Sequence, residues 1–206
     1  SDVTFSRTKA VEGSTLDESD TITYGFDVDS CTSMSAMFQN CSNMRSFDLT
    51  YFNAPEVTRM DSMFNGCTGL TGFNWPKTLN TVKLNNTSSM FYGCYTLSTI
   101  NLDALVVNQV TNMQNMFYNC VTIKTIDLSG WNWKKNNDVN GNGMFRNDTQ
   151  LTTIYVGSGF SNDTVFNANP RNYATRNNSN SMFTNCKSIL GATGQKYASS
   201  YGGYAW

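Results

Sequence analysis

Apolar residues return along this chain on a fixed beat. Six Met-Phe pairs, Met37-Phe38, Met63-Phe64, Met90-Phe91, Met116-Phe117, Met144-Phe145 and Met182-Phe183, follow one another at steps of 26, 27, 26, 28 and 38 residues. A constant period in the twenties marks one supersecondary unit copied and stacked, each copy burying its apolar side only against its neighbours. Cys stands four residues after the Met in five copies (Cys41, Cys67, Cys94, Cys120, Cys186), and Asp148 takes that place in the other. Three residues further on a short apolar pattern opens: Met44-x-x-Phe47-x-Leu49, Leu70-x-x-Phe73-x-Trp75, Leu97-x-x-Ile100-x-Leu102, Ile123-x-x-Ile126-x-Leu128 and Leu151-x-x-Ile154-x-Val156. Its last two apolar positions alternate with polar ones, which predicts a half-buried strand in each copy.

A second anchor follows each strand, at Phe52, Leu105 and Trp133, with Leu79 displaced by an insertion, and Val57, Val110 and Val139 precede the next Met. Cys31 holds that valine position ahead of the first Met-Phe pair and Phe26 the anchor, so the array begins near Phe26. The Ser/Asp/Asn-rich residues before each Met-Phe pair, such as Asp61-Ser62 and Gln114-Asn115, read as a helix N-cap or a turn. They predict a short helix or 3-10 turn carrying Met-Phe-x-x-Cys on its inner side. The expected fold is an α/β repeat: a solenoid of about five to six coils over residues 26–188, with parallel strands on one face and short helical or 3-10 turns on the other. Residues 1–25 lack the template and are expected to cap the open N-terminal end, and residues 189–206 to cap the other. Residues 157–180, rich in Gly, Asn and Ser, form a loop insertion that lengthens one repeat.

Stacking lays like residues over one another at about 4.8 Å. The outward strand positions then make one ladder of Asp48, Asn74, Asn101, Asp127 and Tyr155, beside another of Ser46, Gly72, Thr99, Thr125 and Thr153. That polar face is the candidate ligand-binding surface. Trp131 and Trp133 flank Asn132, so one ring should face in and the other out; with Trp133 as the anchor, Trp131 is expected to be exposed, as is Tyr51.

Composition narrows the chemistry. The chain has 206 residues, 14% of them charged, a net charge of -1 and no His. A phosphate backbone meets no basic patch here, so nucleic acid is not an expected partner. Asn (27) and Thr (25) supply the neutral polar surface instead. Without His, the Ser-His and Cys-His nucleophilic arrangements are excluded and no catalytic residue is assigned. No apolar run is long enough to span a bilayer. The chain opens on Ser1 rather than Met and shows no signal peptide, which leaves room for a leader, an anchor or further domains outside it.

The six cysteines invite a disulfide reading, but equivalent positions on stacked coils point their Cβ vectors the same way. That leaves the Cβ atoms near 5 Å apart, where a disulfide needs about 3.8 Å. The expectation is a ladder of small buried thiols. No C-x-x-C pair accompanies them, so neither zinc nor any other metal or cofactor is expected.

The L-x-x-L-x-L spacing is the strand signature of leucine-rich repeats. Asp48-Leu49-Thr50, then Val57-Thr58-x-Met60, then Ser62-Met63-Phe64-x-x-Cys67 resembles the BspA-type leucine-rich repeat of bacterial surface proteins and mycoplasma lipoproteins, as do Thr122 to Ser129 and Val110 to Phe117. The resemblance covers about residues 26–190. It implies a leucine-rich-repeat solenoid and a non-catalytic extracellular or cell-surface recognition module, an adhesin or receptor-binding protein. The implied partner is a protein or glycan on a host or neighbouring cell. The alternative is a structural subunit of an extracellular assembly, fibre or phage tail, for which self-association is expected.

Overall fold

The computed structural model describes residues 5–6, 25–26, 28, 30–46, 52–77, 79–131, 139–156 and 182–189. Asp48, Tyr51, Trp133, the 157–180 insertion and nearly all of both expected caps lie outside them. Among the described residues are six strands: β1 (Phe5–Ser6), β2 (Gly25–Phe26), β3 (Gly72–Asn74), β4 (Thr99–Asn101), β5 (Thr125–Leu128) and β6 (Thr153–Val156). β1 pairs antiparallel with β2, Phe5 opposite Phe26. The other four fall where the apolar alternation places them. β3 runs parallel to β4 with Phe73 opposite Ile100, and β5 parallel to β6 with Ile126 opposite Ile154. They form two two-stranded sheets rather than one continuous sheet.

The unbroken spine lies elsewhere. A ladder of parallel bridges joins Ser33 to Arg59, Asn86, Asn112 and Asn140 in turn, one residue per coil. From it runs the Met-Phe segment, and here the helix expectation fails: no helix occurs among the described residues. Alternate amides do two different jobs. The N–H groups of Met60, Ser62, Phe64 and Gly66 donate to the carbonyls of Asn86, Ser88, Met90 and Tyr92 on the next coil. Those of Met63, Asn65 and Cys67 close turns onto Met60, Ser62 and Phe64 in their own coil. An α-helix needs every amide bonded four residues back within one segment; here half of them are spent on the neighbouring coil.

The turns set the backbone angles. Ser62 (φ 57°) and Gly66 (φ 75°) are each the third residue of a four-residue turn closed by Met63 and Cys67, the left-handed position of a type II turn. Ser89 and Gly93, and then Asn115 and Asn119, repeat the pair on the next two coils. Of the two readings of these Ser and Asn residues, helix N-cap or turn, the turn holds, and the positions need tolerance of positive φ.

Side chains inside the coils stack as the repeat demands. Phe38, Phe64, Phe91, Phe117, Phe145 and Phe183 form one column with neighbouring ring centroids 5.4, 5.5, 5.7, 5.7 and 5.5 Å apart. The methionine, strand and valine positions line the same core, with Leu84 filling the valine position in its copy. Threonine hydroxyls fasten coil to coil from outside: Thr58, Thr71, Thr96, Thr122 and Thr152 each donate to a backbone carbonyl of the preceding coil. Much of the Thr content thus satisfies backbone acceptors rather than only facing water.

Candidate functional site

The strand face holds four of the five ladder residues among the described residues. Asn74 pairs with Asn101, and Asp127 with Tyr155. All four are exposed, Tyr155 at 55%. Two of them are engaged locally. Asn101 Oδ1 accepts the Asp103 amide at 2.9 Å, and Asp127 Oδ1 accepts the Ser129 amide at 2.8 Å. Each side chain turns the chain out of its strand as an Asx-turn. Hydrogen bonds from the Ser129 side chain and backbone hold the Asp127 carboxyl below its usual range. Tyr155 is left as the ladder's large open side chain.

Trp131 corrects its expectation. It is buried, and its indole N–H donates to the Leu102 carbonyl at 3.3 Å. The spacing carried the signal. Phe52, Leu105 and Trp131 each stand three residues beyond the last apolar residue of the repeat pattern (Leu49, Leu102, Leu128), so the spacing puts an anchor at Trp131. The amides of Leu105 and Trp131 close matching turns onto Leu102 and Leu128. Cys41 also departs from the buried thiol ladder: it is exposed and Cys31 is half-buried, while Cys67, Cys94, Cys120 and Cys186 are buried; all six thiols are free.

A second surface, on the turn side, was not singled out from sequence. The residue after each Phe is half-buried or exposed, and in adjacent coils it is Tyr92, Tyr118 and Arg146, all three half-buried. Tyr92 and Tyr118 stack at 4.7 Å with planes 10° apart, and the Arg146 guanidinium sits 5.6 Å from the centre of the Tyr118 ring. That distance is within cation–π range. Arg146 takes part in neither of the ion pairs found among the described residues, Arg59–Asp61 and Lys83–Glu56. Alongside runs an amide ladder, Asn185 Nδ2 donating to Asn147 Oδ1 at 2.7 Å and Asn147 Nδ2 to Asn119 Oδ1 at 2.9 Å.

Tyr95, three residues beyond Tyr92, is a further exposed ring. A Cβ built on Gly93 would lie 3.8 Å from Tyr95 Cζ and 3.9 Å from Cε1 and Oη. A side chain at this position would therefore touch the ring, and the glycine leaves that space free. Gly93 has a φ of 69°, and 46% of Tyr95 is exposed. The signal in the sequence was the Met-Phe-Tyr triplet occurring twice, one repeat apart.

Among the described residues no helix is long and apolar enough to cross a membrane. No curated protein and no solved structure matches the chain. Two family profiles do. One, described as Mycoplasma protein of unknown function, DUF285, matches residues 12–99. The other, the BspA type leucine rich repeat region, matches residues 60–190 in six copies. That span is more than half of the chain and contains the stacked turns, the parallel strands and most of the phenylalanine column, so the chain belongs to the BspA-type leucine-rich-repeat family.

Proposed function

We propose that this chain is a non-catalytic recognition module of a cell surface or the extracellular space, and that its repeat surface binds a glycan carried by a host or neighbouring cell. The observations that carry this reading are the exposed Tyr95 ring beside Gly93 and the Tyr92–Tyr118 stack. An open aromatic face offers apolar area for a sugar ring, and phenol and amide groups around it supply donors and acceptors for its hydroxyls. Rigid Tyr with Asn and Gly is also a composition that recognition surfaces use, because Tyr gives contact area at low entropic cost. Family membership supports the reading, since the repeat resembles that of bacterial surface proteins. The strand-face ladder around Tyr155 is a second contact surface in this reading.

The test is a glycan array probed with the labelled full-length chain, alongside Tyr95→Ala and Tyr155→Ala. Binding that falls at least tenfold in Tyr95→Ala, with the urea midpoint retained, is the expected result. Retained binding in Tyr95→Ala with loss in Tyr155→Ala would move the site to the strand face. No glycan binding, combined with sedimentation that grows with concentration, would replace recognition by assembly.

A further inference from the structure

The buried thiols form a second column beside the phenylalanines, and they donate. The Sγ atoms of Cys67, Cys94, Cys120 and Cys186 lie 3.1, 3.2, 3.2 and 2.7 Å from the carbonyl oxygens of Phe38, Phe64, Phe91 and Phe145, each one coil back. The same thiols receive the backbone amide of the equivalent residue one coil back, Cys41, Cys67, Cys94 and Asp148 in turn. The column therefore asks each side chain to accept one amide and to donate one proton.

Asp148 occupies the one position in this column without a thiol. It is fully buried. Its Oδ1 accepts the Cys120 amide at 2.8 Å, the accepting half of the thiol's role. Its Oδ2 is buried with no hydrogen-bond partner. The carbonyl that the register assigns to it, Phe117, receives no thiol. An ionised carboxylate can only accept. We propose that Asp148 is held as a neutral carboxylic acid that stands in for the missing thiol, donating its proton from Oδ2 to the Phe117 carbonyl, and that losing this proton releases the last coil, residues 182–189.

The surroundings favour the neutral form. Burial drives the carboxyl well above the usual carboxylate range, opposed by the single hydrogen bond from the Cys120 amide. The titratable groups facing it are the Cys120 and Cys186 thiols on either side, themselves raised by burial. Arg146, two residues away on the same coil, rests its guanidinium on Tyr118 and forms no ion pair with Asp148. The last coil docks directly on this residue's coil, through Phe183 on Phe145, Asn185 on Asn147 and Cys186 on the Phe145 carbonyl. Among the described residues a charge placed under it forms no ion pair, and letting go of that coil would bring it to water.

The sign follows from linkage. Unfolded, Asp148 ionises near pH ~3.9; folded, it ionises higher. Between those two values the folded chain holds one proton more than the unfolded chain. Stability from this group therefore falls as pH rises, by up to about tenfold in the unfolding constant per pH unit. Asp148→Asn keeps an acceptor for Cys120 and a permanent donor for Phe117, so it mimics the neutral acid. Asp148→Cys restores the residue of the other coils.

Full-length wild type and both variants are to be unfolded in urea between about pH 4 and pH 8, and the native alkylation rate of Cys186 measured by mass spectrometry over the same range. The ratio of wild-type to Asp148→Asn rates cancels the thiol's own ionisation. Wild type is expected to lose stability relative to both variants as pH rises, and the Cys186 rate ratio to climb. Parallel stability curves overturn the neutral acid, and a flat rate ratio overturns release of the coil. Should the Asn variant not fold, the Cys variant carries the stability comparison, and tracking wild type would overturn the proposal.

Discussion

Phe145 and Phe183 stack at 5.5 Å with their planes 7° apart, although they are the one neighbouring pair of the column separated by 38 residues. The chain returns to register after the insertion because the docking information is in the coil, not in the length of the connection. Extra loop length adds little entropic cost, which grows only with the logarithm of the loop.

Phe91 sits between Phe64 and Phe117, stacked on both. Its replacement by Ala leaves a cavity that two coils must share, and the expected cost is about 3–5 kcal/mol. Tyr155→Ala, at an exposed position, is expected to change stability by less than about 0.5 kcal/mol. Urea unfolding of the two variants checks both values. A small effect at Phe91 would mean that the coils do not stack around it.

Burial pushes the Cys67 thiol up to about 11 and the Cys186 thiol up to about 12, and raises Cys94 and Cys120 as well. The thiolate is the reactive form. Brief alkylation of the native protein near pH ~8 is therefore expected to mark Cys41 first and Cys31 next, leaving Cys67, Cys94 and Cys120 unlabelled. Denaturation without reductant should expose all six. Rapid native labelling of Cys94 would contradict the packing of the column.

Ala36 has a φ of 57°, a left-handed angle costly for a residue with a Cβ. Ala36→Gly is expected to stabilise by about 0.5–1 kcal/mol, the relieved strain outweighing the freer unfolded chain. Gly66 has the opposite forecast. At φ 75° an added Cβ would also run into the Asn40 side chain, so Gly66→Ala should cost more than about 1 kcal/mol. Melting curves of the two variants should move in opposite directions.

Asp61 ties three coils together. It accepts Ser35 Oγ at 2.7 Å from the coil before, Asn86 Nδ2 at 3.3 Å from the coil after, and Arg59 Nε at 2.8 Å within its own. Burial by itself would raise its pKa, but the hydrogen bonds from Arg59 and Ser35, with the Arg59 charge, outweigh that and lower it. A lowered folded pKa gives stability that is complete above the unfolded value near ~3.9 and is lost as pH falls through the folded one. Asp61→Asn should be modestly less stable than wild type at neutral pH, and the two should converge in acid. A gap that persists in strong acid would remove the carboxylate from the account.

The two aspartates show how far residue type alone reaches. Both lie within the repeat array, and nothing in their local sequence says that one is lowered by an arginine and the other raised by burial. What separates them is position in the coil. Asp61 stands ahead of Met-Phe on the outer side, and Asp148 stands on the Cys position, turned inward. The Cys ladder was legible from spacing, and so was the substitution of Asp148 within it. Its unpartnered oxygen was not, because that depends on which carbonyl the neighbouring coil presents.

The amino-acid sequence by itself determined the period, the residues of the phenylalanine and methionine columns, and the location of β3 to β6. These follow from which positions are apolar and how often they return, and a one-dimensional pattern records that fully. Only the tertiary structure decided that the Met-Phe segments are turns and not helices, and that the Tyr95 ring is left exposed beside Gly93. An amide's choice between its own segment and the next coil, and a ring's choice between core and solvent, are settled by the neighbour that stacking brings within reach.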